Sequence, residues 1–136
     1  MSKLDTGLIK KWLLIAKQDY DVAQFLFDNH WPKPLEIIGF HCQQSIEKAF
    51  KGYICAQGDE VRRIHSLKLL CMQCAKFDKS FGAFYEDCSE FEFLAVETRY
   101  PNSIEIDEDN LKKALKLAAD IYNFALSKVR ATGIEL

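Results

Sequence analysis

The sequence predicts an all-α protein, an antiparallel up-and-down bundle of four long helices and one short helix, and three observations carry that prediction. Apolar residues recur at three- and four-residue spacing in five separate stretches. These stretches are bounded by residues that cap or break helices. No apolar/polar alternation of useful length reads as a strand, and no internal repeat or low-complexity tract appears.

The first helix is expected to start near Asp5 or Thr6, either of which can cap it, and to run to about Asn29, burying Leu8, Trp12, Ile15, Ala23 and Phe27. Asp19 falls inside that stripe and therefore needs a partner, because an unpaired buried carboxylate costs several kcal/mol (order of magnitude). A cap or lysine from a neighbouring helix is the structural explanation; setting the charge of a ligand site is the functional one. Trp31, Pro32 and Pro34 break the chain, and Pro34 is tolerated in the first turn of the second helix.

The second helix ends near Gln57 and Gly58 and carries Ile38, Cys42, Ile46, Ala49 and Tyr53 on one face, which is expected to be buried. On a neighbouring face His41, Gln44 and Lys48 line up, with Lys51 beside them, while Gln43 and Glu47 form a second polar row. An ordinary solvated helix face would explain these polar rows equally well.

Ser66 can cap a short third helix, Leu67 to Lys76, with Leu67, Leu70 and Cys71 or Cys74 inward. Asp78 and Ser80 are cap candidates for a fourth helix that reaches about Thr98 and buries Phe81, Phe84, Cys88, Phe91 and Ala95. Its other sides are acidic. Pro101 disfavours helix at Tyr100, leaving Arg99 at the negative end of the helix dipole. Asp107 caps the last helix, in which Leu111, Ala114, Leu115, Ala118, Tyr122, Ala125, Leu126 and Val129 keep the helical period up to Gly133.

The 136 residues fit one domain spanning the whole chain. A net charge of −2, with 28% charged residues of both signs, excludes a global basic field for nucleic acid, so any such contact must be local. The start lacks a signal sequence and no apolar run is long enough to span a bilayer, which reads as a cytoplasmic protein without a membrane partner. The five cysteines mostly sit inside apolar helical patterns and suit a reducing compartment. Cys71 and Cys74 form a CxxC without a second pair, and His30, His41 and His65 make no HxxxH or HExxH. Neither GxxxxGK[ST] nor GxGxxG occurs. No metal or other cofactor is expected.

Four segments together carry a family resemblance: WLLIAKQDYDVAQ at 12–24, FHCQQSIEKAFKGYI at 40–54, HSLKLL at 65–70 and TRYP at 98–101. In their order and spacing they resemble the HEPN domain, named for nucleotide binding in higher eukaryotes and prokaryotes, across nearly the whole chain. The resemblance implies a bundle of about five helices that commonly dimerises. It also implies that the protein is one half of a toxin and antitoxin pair with a minimal nucleotidyltransferase.

Many HEPN proteins are metal-independent RNases with an arginine followed four to six residues later by a histidine, and Arg99 matches the arginine. The partner positions hold Ile104, Glu105 and Ile106, and no histidine follows Arg99. Neither isoleucine nor a solvated glutamate activates a ribose hydroxyl well. The expected function is therefore a non-catalytic module, with no catalytic residue assigned, that binds a nucleotide or RNA or a nucleotidyltransferase partner, as a homodimer.

The alternatives are an RNase toxin in which Arg99 borrows His65 or His41, and a structural assembly subunit using exposed aromatics such as Trp31, Phe77 and Phe93. The expected ligand residues are His41, Gln44, Lys48 and Lys51 of the second helix, Arg99 and Tyr100 at the end of the fourth, and His65 at the mouth. Cations can hold phosphate oxygens, glutamine can read a base edge and tyrosine can stack. Each has a plainer role: Lys48 and Lys51 paired with Glu47, Arg99 and His65 at helix ends, Tyr100 at the core edge. If the cations are taken up by their own carboxylates, only the architecture remains.

Overall fold

The computed structural model describes residues 4–97 and 106–136, and the side chains of all of these except 94–97. Five α-helices follow in order: α1 Thr6–Asn29, α2 Leu35–Ala56, α3 Leu67–Phe77, α4 Tyr85–Glu97 and α5 Glu108–Ala131. Four are long and packed in a bundle, with the shorter α3 beside them. Among the described residues there is no strand.

The starts are set by side-chain caps. Asp5 accepts the Leu8 N–H at 3.0 Å, Ser66 the Leu69 N–H at 3.4 Å and Asp107 the Asn110 N–H at 2.7 Å. Gly58 and Gly133 follow the ends of α2 and α5 with φ of 74° and 91°, the left-handed geometry that glycine adopts without a steric penalty. The fourth helix departs from expectation at its start. Asp78 caps a 3-10 helix, Lys79–Phe84, and regular α-helix begins only at Tyr85. The tighter turn buries Phe81 completely, within 4.4 Å of the Tyr53 ring and 4.9 Å of the Phe124 ring, centroid to centroid.

α1 and α2 run antiparallel, since Leu13 meets Gly52, Ala16 meets Ser45 and Asp19 meets His41 in descending order. The buried line of α1 is Ile9, Leu13, Ala16 and Ala23. This corrects the expected stripe: Leu8 is exposed, Trp12, Ile15 and Phe27 are only partly buried, and Asp19 lies at the edge of the face rather than in it. Small residues explain the rotation. A Cβ at Gly52 would stand 2.9 Å from Leu13 Cδ2, and Ser45 Oγ donates to the Ala16 carbonyl at 2.7 Å, so the backbones approach where side chains are least.

α2 is the axis of the bundle. Its expected apolar face is fully in the core, and Gln43, Ser45, Glu47, Phe50, Lys51 and Ile54 are buried as well. α5 runs beside it in the same direction, with Leu111 and Ile106 near Gly39. Its apolar series is buried or partly buried, joined by Leu117 and Ile121, which the sequence pattern omitted.

Candidate functional site

Burying α2 on most sides forces its polar residues to find partners inside the protein, and they do so in one cluster. Glu47 is fully buried, and its two oxygens divide the work. Oε1 accepts from His65 Nδ1 at 2.9 Å, while Oε2 accepts from the Lys48 ammonium and lies 3.4 Å from Lys51 Nζ. Both ammonium groups stand 5.7 Å from the centroid of the Trp12 ring, so α1 supplies a cation-attracting roof. His65 is delivered by the chain leading into α3. That helix start is anchored from α4, where Glu92 Oε1 accepts the Leu67 N–H at 2.7 Å and Oε2 the Ser66 hydroxyl at 3.3 Å.

Burial opposes ionisation of Glu47. Hydrogen bonds from Lys48 and His65, with the charges of Lys48 and Lys51, outweigh it and hold the carboxyl below its ordinary value of 4.5. Since Glu47 is ionised at neutral pH, His65 Nδ1 must carry a hydrogen. Nε2 is then on the outer side of a side chain that is 75% exposed.

Asp78 is held down at about 2, first by its hydrogen bond from Lys128 of α5 and then by Ser80. A carboxyl with a lowered folded value stabilises the fold above its unfolded value and loses that contribution as pH falls. The urea midpoint is therefore expected to decline on acidification from 4.5, the ordinary value of Glu47, towards about 2, where Asp78 protonates. A midpoint that rises across this window contradicts the assignment.

The structure gathers Lys48, Lys51 and His65 of the expected residues, but the expected open pair of lysine heads is not found: both are taken up by Glu47, the plainer role weighed for them, and Lys51 is turned inward and only 4% exposed. Lys51 can act on the surface through charge, whereas Lys48 and His65 can touch it. His41 takes another partner, with Nδ1 3.0 Å from Asp19 Oδ1, which supplies the partner Asp19 needed. Gln44 is half-buried on the outward strip between His41 and Lys48. Arg99 and Tyr100 lie outside the described residues, as do the cap and core-edge roles weighed for them.

The pairing of Lys48 and Lys51 with Glu47, weighed from the sequence as their plainer role, is present, whereas sequence reasoning missed that His65 joins the same carboxylate and that Trp12 roofs it. The Glu47/Lys51 spacing of four residues on a helix was the available signal.

Cys71 and Cys74 are buried, their thiols directed at the Phe81 carbonyl at 3.2 Å and the Phe50 carbonyl at 3.7 Å. Burial pushes the Cys74 thiol up, and Cys42 up to about 12. Among the described residues no group of three His, Cys, Asp or Glu is arranged to hold a metal ion, and no helix is long and apolar enough to cross a membrane. The exposed aromatics Trp31, Phe77 and Phe93 lie on three different segments.

Residues 9–129 match the HEPN domain family. The chain belongs to that family. Among solved structures this HEPN protein is similar to the crystal structure of an archaeal HEPN homologue, with a TM-score of 0.67 and 20% identity, covering 89% of this chain and 97% of the other. At that identity the likeness concerns the fold alone. No curated protein matches it.

Proposed function

We propose that this HEPN protein is a non-catalytic binding module whose ligand is the phosphate group of a nucleotide or short RNA, held at the outer edge of the Glu47 cluster by Lys48 and His65. One observation carries the reading. Two ammonium groups share the Glu47 carboxylate, so these three side chains by themselves keep one positive charge in surplus before His65 is counted, with Glu92 of α4 bonded to the helix start beside it. Ile104, Glu105 and Ile106, in place of a histidine after Arg99, favour binding over cleavage. The assembly proposed with it is a homodimer paired with a minimal nucleotidyltransferase, as one half of a toxin and antitoxin system.

Isothermal titration with ATP, GTP and short RNAs tests the ligand. Wild type is expected to bind at least one of them, and Lys48→Ala to weaken that binding about tenfold to a hundredfold, the weight of one charge-assisted hydrogen bond. Absence of binding, or affinity unmoved by Lys48→Ala and His65→Ala, rejects the site.

A further inference from the structure

His65 differs from every other member of the Glu47 cluster. Glu47 is inaccessible, Lys51 nearly so, and the Lys48 side chain is only 19% exposed, whereas the His65 side chain is 75% exposed. A ligand arriving from solvent therefore meets the imidazole first. The ring is not free to choose which nitrogen it presents, because the buried carboxylate fixes Nδ1–H at 2.9 Å and leaves Nε2 outward.

In the neutral ring Nε2 carries a lone pair, which repels an anionic oxygen. In the imidazolium it carries a hydrogen, and the ring then bridges two anions, one inside the protein and one outside.

We propose that anion binding at this site is coupled to proton uptake by His65. The ring takes one proton from the buffer at Nε2, donates that N–H to a phosphate oxygen, and keeps Nδ1–H on Glu47. The inference rests on the phosphate-binding reading above and adds its regulation: the site fills more readily in acid.

Charged groups that bear on the ring, among the described residues, include Glu47, which it bonds, Lys48 and Lys51 on the same carboxylate, Glu92 of α4, which caps the helix start two residues along, and Arg62 and Arg63, three and two residues earlier in the chain. Glu47 is the acceptor on one side of the ring, and the incoming anion adds a second acceptor on the side where no described carboxylate is bonded to it.

The test is calorimetric titration of ATP into wild type, His65→Gln and Lys48→Met, each in two buffers of different ionisation enthalpy, from about pH 8 down to about pH 6, the range in which imidazole changes charge. Proton exchange by ATP itself is common to all three proteins, so differences report the side chains. Wild type and Lys48→Met are expected to take up more protons on binding than His65→Gln. The wild-type affinity advantage over His65→Gln is expected to grow as pH falls, by up to about tenfold per pH unit for one linked proton.

Equal proton counts and parallel pH profiles in the presence of ATP binding overturn the proposal and leave the phosphate site standing. Failure of wild type to bind ATP, GTP or short RNAs at any pH overturns both.

Discussion

Replacing Glu47 by alanine is expected to destabilise the protein by about 3–5 kcal/mol, because it strands charge in the interior rather than merely deleting a contact. Lys51 is 4% exposed and its carboxylate partner is Glu47. For a chain of this size the loss corresponds to a fall in Tm on the order of 10–20 °C, read by thermal unfolding with circular dichroism. Glu47→Leu combined with Lys51→Met is expected to recover much of that loss, since an apolar pair of similar volume removes both desolvation penalties. If Glu47→Ala costs less than about 1 kcal/mol, the range of an exposed pair, the cluster is not the buried hub described above.

Phe81→Ala is expected to cost about 3–5 kcal/mol, the usual range for deleting a fully buried aromatic ring. Phe81 joins Phe50 and Tyr53 of α2 to Phe124 of α5, with centroid separations of 6.2, 4.4 and 4.9 Å, so its removal opens a cavity among three segments at once. Phe81→Leu refills part of the volume and is expected to cost less. Urea midpoints of the two variants check the order. A wild-type midpoint for Phe81→Ala contradicts the packing.

The bundle was legible in the sequence because capping chemistry is local. Asp5, Ser66 and Asp107 each act within three residues of themselves, and the apolar face of α2 needs only the helical period. The rotation of α1 was hidden because it is decided by Gly52, Ser45 and Ala16, residues whose small size matters only once two helices meet. The 3-10 start of the fourth helix was hidden for a similar reason, since Phe81 is drawn to rings on two other elements.

The candidate site was half legible. Lys48, Lys51 and His65 were recognisable as unusual polar residues, but nothing local in a Gln43/Glu47 row tells that one member becomes the most deeply buried carboxylate of α2. That outcome depends on how many helices surround α2. Asp19 and His41 show the converse: a charge that demanded a partner was visible, whereas the partner lay 22 residues away.

Gly52 sits one turn beyond Lys48 on α2, and a methyl group there would also stand 3.4 Å from Trp12 Cβ. The gap between the first two rods is thus fixed by a hydrogen atom, and the indole ceiling is pinned at the same point. Any widening of that gap lifts the ceiling from both ammonium groups together. The electrostatic character of the Glu47 cluster is in this way tied to a backbone spacing rather than to the identity of a charged residue.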